Sequence, residues 1–279
     1  MKIQTPGTLG GFAVLAAVLA AAPSAAPAPE WETTVASYNV RAAHLTAGPR
    51  SELEDGPARM RKSLAWLKAG PISIVALQEL EKSARSVIAD DPDWAVFHGN
   101  ANTDSVRWDG GNAVMWKRDQ WESAEGDAQQ FPIRYNDIDG AAKTLWMPCV
   151  RLKNKDGGRS LTVVSIHNPS GPRREAIRAD ARRQEKDAIQ TLLRDHDRVV
   201  LAGDFNEVQP AACFFTGFLM DATGYARRDD GTCPDSAPGH IDRIFGRGNL
   251  KFSNWQIVTK PRDAKWSDHP LVQSLVTYW

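Results

Sequence analysis

The sequence lacks an excess of charge of either sign. Its 34 lysines and arginines balance 34 aspartates and glutamates, and loss of the N-terminal segment that contains Lys2 leaves 33 basic residues (34 minus 1) against 34 acidic ones. This balance argues against a module that binds nucleic acid through nonspecific charge, because such modules carry a basic surface. The balance is compatible with an enzyme, since an enzyme needs positive charge only near the phosphate that it binds.

Cysteine is scarce, with three in 279 residues. That number excludes a disulfide-rich scaffold but allows one disulfide and one spare thiol in an exported chain. Cys213 and Cys233 flank a loop rich in glycine and aspartate, whereas Cys149 lies in the strand-like stretch TLWMPCV. We therefore predict a Cys213–Cys233 disulfide, which would stabilise a loop of this size by about 3 kcal/mol.

No apolar run has the length and strength of a typical membrane-spanning helix. The nearest is LGGFAVLAAVLAAAPSAAPAP, which follows Lys2 and is dominated by alanine. A positive start, a short apolar centre and small residues at Ala26-Pro27-Ala28 are typical of a secretory signal peptide, and cleavage near Ala25 fits nearly as well. We predict a signal peptide at residues 1–28 and a secreted protein without a membrane span after cleavage. An uncleaved anchor is the alternative.

Strand and helix patterns interleave from residue 33 to the C-terminus. The strand patterns are TTVASYNV, ISIVALQEL, DWAVFHG, GGNAVMWKR, AKTLWMPCVRLKN, RSLTVVSIHNP, RVVLAGD, HIDRIFG, FSNWQIV and LVQSLVTYW; the helical ones are PARMRKSLAWLKAG, KSARSVIADDP and residues 173–194. This order predicts an α/β or α+β fold with a mixed sheet. Since no repeat or low-complexity linker interrupts it, we predict a single domain at residues 29–279.

Basic residues recur at four-residue intervals along the helical segment 173–194. They are Arg174, Arg178, Arg182 and Lys186. This spacing places them along one stripe of the helix, which could form a ridge that faces phosphates. Because acidic residues are interspersed among them, we favour a solvated, salt-bridged face.

Polar side chains recur where the apolar strands end. They are Asn39 after VASY, Glu79 after IVALQ, His167 after LTVVSI, Asp204 and Asn206 after VVLAG, Asp242 after HI, and Ser267-Asp268-His269 before the last strand. A single such residue is explained as a turn cap. Because strand ends at one edge of an α/β sheet share a crevice, we expect this whole set to lie close together.

Hard oxygen donors dominate this set. These donors are the carboxylate oxygens of Glu79, Asp204 and Asp268 and the amide oxygens of Asn39 and Asn206. Such donors suit Mg²⁺, Mn²⁺ or Ca²⁺ rather than zinc, and a cation would neutralise carboxylates that otherwise repel one another. His167 and His269 add groups that titrate near neutral pH and can move protons.

Six blocks carry a resemblance to a known family. SYNV, IVALQE, SIHNP, LAGDFN, HIDRIF and SDHPLV follow one another in the order found in the endonuclease/exonuclease/phosphatase superfamily, and the sequence resembles that superfamily over about positions 33 to 278. The resemblance implies the deoxyribonuclease I-like fold, a four-layer sandwich of two packed mixed β-sheets flanked by helices. It places the active site at one end of the sandwich.

The resemblance also implies a role for each polar residue. Asn39, Glu79 and Asp268 would hold the metal; Asn39, Arg41 and Asn206 would contact the phosphate; Asp204 and Asn206 would orient the attacking water; His269 would be the general base, held by Asp242; and His167 would stabilise the phosphate or protonate the leaving group. Glu207 receives no role. His98, His196 and His240 lie outside the blocks, and we interpret them as surface or loop residues.

The expected function is that of a secreted, divalent-metal-dependent phosphodiesterase, a nuclease that cuts DNA or RNA and works as a monomer. Mg²⁺ is the expected cofactor, with Mn²⁺ or Ca²⁺ as alternatives. The alternative function is hydrolysis of a phospholipid, as in sphingomyelinases, or of an inositol phosphate. Two departures from the family leave the substrate open: Ser73 replaces a common acidic residue, and residues 99–111 match nothing distinctive.

Overall fold

Two β-sheets pack face to face in the computed structural model, which describes residues 30–46, 51–99 and 111–279. The strands are β1 (Trp31–Asn39), β2 (Ile72–Gln78), β3 (Trp94–His98), β4 (Ala113–Lys117), β5 (Trp121–Glu122), β6 (Ala128–Asn136), β7 (Ala142–Asn154), β8 (Ser160–His167), β9 (Arg198–Asp204), β10 (Met220–Asp221), β11 (Asp242–Gly248), β12 (Leu250–Val258) and β13 (Leu271–Tyr278). The helices are α1 (Gly56–Ala69), α2 (Lys82–Ala89), α3 (Glu175–Asp195), α4 (Gln209–Phe215) and α5 (Lys260–Asp263). The predicted signal peptide lies outside the described residues.

Both sheets are mixed, as predicted. The first has the strand order β12-β13-β1-β2-β4-β3, and the second has β10-β11-β9-β8-β7-β5, with β6 also paired to β7. Within each sheet one central pair is parallel, β1 with β2 and β8 with β9, and the other pairs are antiparallel. Parallel neighbours end at the same edge, so each sheet brings two strand ends together.

Successive side chains of β2 point to opposite faces of the first sheet, and this alternation forms the layers of the sandwich. Ile74 and Ala76 pack into the core between the two sheets, whereas Val75 and Leu77 pack against α1 and α2 on the outer face. The same period of two in the second sheet directs Val164 and Leu201 towards α3 and α4, and Val163 and Val200 towards the first sheet. Burial of each such aliphatic side chain contributes about 2 kcal/mol, which makes the rigid sandwich a firm support for its loops.

Two features of the fold differ from the sequence-based predictions. Strand β6 was not predicted, because Pro132 interrupts its pattern. The strand tolerates a proline since, among the described strands, it pairs with β7 alone. The stripe on α3 is not a solvated face either, because Arg178 and Arg182 are buried. Both bind Glu207, which follows Asn206 after β9.

The predicted disulfide is confirmed. Cys213 and Cys233 are bonded, with their Cα atoms 5.7 Å apart, and the thiol of Cys149 is free and buried. The bond ties α4 to the loop that leads towards β11. Among residues 30–46, 51–99 and 111–279, no helix has both the length and the apolar character needed to cross a bilayer.

Candidate active site

The strand ends that carry the predicted residues meet at one end of the sandwich. In the second sheet His167, Asp204 and Asp242 lie side by side, because His167 pairs with Asp204 across β8 and β9 and Asp242 pairs with Asp204 across β11 and β9. In the first sheet Asn39 ends β1, and Glu79 directly follows β2. The expectation that the set would gather in one crevice therefore agrees with the topology.

Asp204 lies at the centre, with 1% of its surface exposed. Its Oδ2 accepts a hydrogen bond from Asn39 Nδ2 at 3.1 Å, and it lies 3.6 Å from His167 Nε2 and 3.7 Å from His269 Nε2. Burial raises the pKa of Asp204 and the charge of Asp242 adds to the effect, while the two histidines oppose it. The net shift is upward, so Asp204 depends on its positive neighbours to stay ionised.

Glu79 is held in an unusual backbone conformation. Its φ is 58°, and residue 111 must be glycine because a Cβ there would lie 2.9 Å from the Glu79 Cα. Oε1 accepts from Asn39 Nδ2 at 2.9 Å, and Oε2 accepts from the Ala42 N–H at 2.8 Å. Left-handed backbone at a residue other than glycine is costly, and it is concentrated at functional sites.

The pKa of Glu79 is shifted in the opposite direction to that of Asp204. Burial acts to raise it, but the charge of His167, the hydrogen bonds from Ala42 and Asn39, and the charge of Arg41 together lower it. Glu79 therefore remains a carboxylate at neutral pH. Each of its oxygens accepts one N–H and keeps a further lone pair for a cation.

Asp242 holds two histidines. It is fully buried, and its Oδ2 lies 2.8 Å from His269 Nδ1 and 2.7 Å from His240 Nδ1. Burial acts to raise the pKa of Asp242, but the hydrogen bonds from His240 and His269 outweigh it and lower the pKa. The carboxylate thus accepts from both rings.

His269 is positioned by its backbone as well as its ring. Its N–H donates to Ser267 Oγ at 3.1 Å, and that hydroxyl donates to the Asn39 carbonyl at 2.6 Å. Burial acts to lower the pKa of His269, but the hydrogen bond and charge of Asp242, with the charges of Asp204 and Asp268, raise it to about 9. With Nδ1 committed to Asp242, Nε2 is the nitrogen that faces Asp204.

His240 lies in the loop before β11, as interpreted from the sequence, but it also belongs to the site. Its ring shares Asp242 Oδ2 with His269, and the two rings lie edge to face with centroids 6.0 Å apart. The sequence signal was its place two residues before Asp242, at the entry to β11. Within the part of the chain that the structure describes, His240, Asp242 and His269 also have ligand atoms that all lie within 4.8 Å of one another. Hydrogen bonds to one carboxylate account for that spacing.

Arg41 and Asp268 bind each other at the open side of the site. Arg41 Nη1 lies 3.1 Å from Asp268 Oδ2, and the Asp268 side chain is 44% exposed. Arg41 also has a positive φ of 60°, and its N–H donates to Asn39 Oδ1 at 3.0 Å. A cation would compete with Arg41 for Asp268, and a phosphate would compete with Asp268 for Arg41.

Asn206 follows Asp204 in a tight turn. Its φ is 53°, its N–H donates to Asp204 Oδ1 at 2.9 Å, and its Nδ2 donates to the Asn168 carbonyl at 2.7 Å. One amide hydrogen and the amide oxygen remain for a phosphate or a water. Glu207, the next residue, is turned away into the protein and binds Arg178 and Arg182.

A buried polar link behind the site was not predicted. Ser165 Oγ, on the second sheet, donates to the Leu77 carbonyl at 2.8 Å and accepts from Gln78 Nε2 at 3.1 Å. Gln78 Oε1 accepts in turn from Ser37 Oγ at 3.3 Å. This chain of hydrogen bonds joins the two sheets one residue before Glu79 and two residues before Asn39, so it holds the two halves of the site at a fixed separation.

The donor chemistry fits a hard divalent cation. The residues that would hold it are Glu79, Asn39 and Asp268, since all three offer oxygen and Glu79 stays ionised. The unusual backbone conformation of Glu79 supports this assignment, because such conformations cluster at active sites and ligand-binding sites. The His240, Asp242 and His269 group offers mainly nitrogen, and its Nδ1 atoms are already bound to Asp242.

Comparison with known proteins identifies the family of this chain. The sequence matches the model of the Endonuclease/Exonuclease/phosphatase family over residues 36–269, which is most of the chain. The protein belongs to this family. The match begins in β1 and ends at His269, so it spans the whole set of predicted site residues. No curated protein sequence matches the chain.

Solved structures support the same fold. A family member from Bacteroides vulgatus has 19% identity and a TM-score of 0.70, with 89% of this chain and 100% of that chain covered. Mannosyl-6-phosphatase from Bacteroides thetaiotaomicron has 17% identity and a TM-score of 0.63 over 88% and 99% of the chains. D. rerio TDP2 in complex with a single-stranded DNA product has 15% identity and a TM-score of 0.59 over 88% and 98%.

These findings confirm the family and the fold class. The predicted resemblance and the two-sheet sandwich are both correct, and the family is one of hydrolases that act on phosphoester bonds and typically use divalent metal ions. At identities below 25%, the structural likenesses show the fold alone. The residue roles are therefore argued from the site itself, and the neighbours' substrates serve only as candidates to be tested.

Proposed function

We propose that the protein is a secreted, Mg²⁺-dependent phosphodiesterase that cleaves the backbone of DNA or RNA. The observation that carries this proposal is the pair formed by Asp242 and His269, which directs a histidine nitrogen towards Asp204 at the point where Asn39 joins Asp204 to Glu79. Proton transfer and oxygen ligands thus lie on either side of one crevice.

Each residue has a separate role in an in-line displacement at phosphorus. Asn39, Glu79 and Asp268 would hold the cation, which supplies a Lewis acid when it is bound. In its neutral form, His269 Nε2 would take a proton from the attacking water, and Asp242 would stabilise the resulting imidazolium. The positive charge of a cation held by Glu79 and Asp268 would oppose the raised pKa of His269 and so favour this neutral form. The water oxygen bonds to phosphorus as the bond from phosphorus to the leaving oxygen breaks, and His167 donates a proton to that oxygen. Arg41 and Asn206 bind the phosphate oxygens, where negative charge increases.

A nucleic acid substrate is supported by the likeness to TDP2, which was solved with a single-stranded DNA product. A second candidate, hydrolysis of a phosphomonoester such as an inositol phosphate, is supported by the likeness to mannosyl-6-phosphatase. The two candidates require the same cation and the same general base. They differ in whether the phosphate keeps a second ester group.

A parallel substrate screen tests the proposal. The mature chain, residues 29–279, would be incubated with Mg²⁺ and plasmid DNA, RNA, bis(p-nitrophenyl) phosphate, inositol phosphates or sphingomyelin vesicles, with EDTA in matched samples. We expect cleavage of a nucleic acid and of the synthetic diester, and loss of both in EDTA. Release of phosphate from inositol phosphates without nuclease activity would replace the first candidate with the second. No turnover of any ester would contradict both.

Export and a monomeric state belong to the same proposal. The Cys213–Cys233 disulfide supports an oxidising compartment. N-terminal sequencing of the protein from the culture medium should give a start at Pro29 or within a few residues of it. Recovery of the protein solely in membranes with an intact N-terminus would contradict cleavage, and light scattering of the mature chain tests the monomer.

A further inference from the structure

A buried ion pair lies directly beneath two loops of the site. The Glu207 side chain is 5% exposed and that of Arg178 is 8% exposed, and Arg178 Nε donates to Glu207 Oε2 at 3.1 Å. Arg182 Nη1 binds the other oxygen of Glu207. Long charged side chains are rarely buried in this way unless they are paired, so the position of Glu207 is closely defined.

The same guanidinium binds a second segment of chain. Arg178 Nη1 donates to the Pro169 carbonyl at 3.0 Å and to the Gly171 carbonyl at 2.8 Å. Pro169 and Gly171 follow His167 at the end of β8, whereas Glu207 follows Asn206 at the end of β9. One side chain from α3 therefore joins the two loops that leave the parallel strand ends.

Asn206 lies where these contacts converge. Its neighbour Glu207 is held by Arg178, and its own Nδ2 binds the carbonyl of Asn168, which is the residue before Pro169. Its φ of 53° lies in the left-handed region, which asparagine adopts more readily than most other residues, so the turn is compatible with these hydrogen bonds. The hydrogen bonds that Arg178 and Arg182 make to the next residue, Glu207, limit where this turn of backbone can lie.

We propose that Arg178 and Glu207 form a positioning clamp that fixes the Asn206 amide and the loop after His167 against the substrate phosphate. This inference rests on the proposed function. Neither residue touches substrate, and both act through Asn206. Because effective catalysis depends on placement within a fraction of an ångström, release of the clamp would slow turnover while the fold and the metal residues remain.

A double-mutant cycle tests the clamp. The variants are Arg178→Met and Glu207→Gln, each made in the wild-type chain and in Asn206→Ala, with bis(p-nitrophenyl) phosphate and Mg²⁺ as probe. Arg183→Met is the control, since Arg183 lies on the same helix, is exposed and pairs with Asp180 one turn away. In the wild-type background we expect each clamp variant to lower kcat about tenfold with KM within about twofold. In the Asn206→Ala background we expect the loss to shrink to about twofold or less.

Equal losses in the two backgrounds would overturn the clamp, since they would show that Arg178 and Glu207 do not act through Asn206. Thermal melts check that each variant is folded at the assay temperature. If Arg178→Met does not fold, Glu207→Gln decides, because it keeps the shape of the side chain.

An NMR readout separates failure of the clamp from failure of the proposed function. The Asn206 side-chain amide signal is identified by its loss in Asn206→Ala, and no substrate is needed to observe it. We expect it to shift in Arg178→Met and Glu207→Gln and to stay in place in Arg183→Met. An inactive wild type with a shifted signal would contradict the function and keep the clamp; an active wild type with an unmoved signal would contradict the clamp alone.

Discussion

Two carboxylates of the site, those of Glu79 and Asp204, accept hydrogen bonds from the same Asn39 amide nitrogen. Their environments nevertheless shift their pKa values in opposite directions. Glu79 follows β2 in the first sheet and is partly exposed, and its pKa is lowered by a histidine charge and by N–H donors that outweigh burial. Asp204 ends β9 in the second sheet and is buried, and its pKa is raised by burial and by Asp242. The difference divides one crevice into an oxygen-ligand half and a proton-transfer half.

Each half has its own members. The oxygen-ligand half consists of Asn39, Glu79 and Asp268, and the proton-transfer half of His167, Asp204, Asp242 and His269. Asn39 joins the halves through its two hydrogen bonds, and the Ser165–Gln78 link supports them from behind. Substitutions that remove or weaken one half while the other is kept should therefore have separate effects.

The largest effect is expected from loss of the general base. His269→Ala removes the proton acceptor but leaves the oxygen ligands, so kcat on the diester probe should fall about 1000-fold while Mg²⁺ binding, measured by calorimetry, is retained. His98→Ala is the matched control, because His98 is half-buried at the end of β3 and binds Arg85. A variant that retains most of its activity would show that another group accepts the proton.

A smaller effect is expected from the oxygen-ligand half. Glu79→Gln keeps the shape of the side chain but removes its charge, so Mg²⁺ affinity should fall about 10- to 100-fold, and activity should recover in part at high Mg²⁺. Calorimetric titration measures the affinity, and Glu54→Gln, at an exposed position paired with Lys62, is the control. Unchanged Mg²⁺ affinity in Glu79→Gln would place the cation away from Glu79.

The remaining prediction is about the free energy of unfolding and concerns the proton-transfer half alone. The pKa of His269 is raised to about 9 in the folded protein, above its ordinary value of 6.5. Such a group contributes stability that is fully present below the unfolded pKa and is lost as pH rises through the folded one. Urea unfolding in EDTA should therefore show about 2 kcal/mol less stability near pH 9.5 than near pH 7 from this group.

Replacement of His269 isolates that contribution. His269→Gln should reduce the difference between the two pH values, and His98→Gln should leave it intact, because burial lowers the pKa of His98 and keeps that ring neutral over this range. If His269→Gln and the wild type lose stability equally with pH, then Asp242 does not hold a proton on His269.

Much of the fold was predictable because it follows from local patterns. The period of two in stretches such as ISIVALQ marks the strands, and the parallel pairs bring their ends together. Strand β6 was missed because Pro132 obscures a pattern that only an edge position tolerates. The Cys213–Cys233 disulfide was predictable because three cysteines in distinct contexts leave few alternatives.

Contacts between distant segments could not be predicted in the same way. Arg178 looked solvated because its neighbours on α3 alternate in charge, but its partners Glu207, Pro169 and Gly171 come from other segments. His240 is the loop residue that it was interpreted to be, but nothing local shows that Asp242 accepts from its ring as well as from that of His269. A single sequence gives no measure of which polar residue will be covered by another element.

The sequence by itself determined the kinds of groups that the protein brings to its site: oxygen donors, two histidines and an aspartate, each at the end of an apolar strand. It could do so because strand ends and residue chemistry are local properties. The tertiary structure decided which of these groups meet and how they are charged. Asn39 and Asp204 are 165 positions apart in the chain. The opposite pKa shifts of Glu79 and Asp204 arise from burial and neighbouring charges that exist once the two sheets have packed.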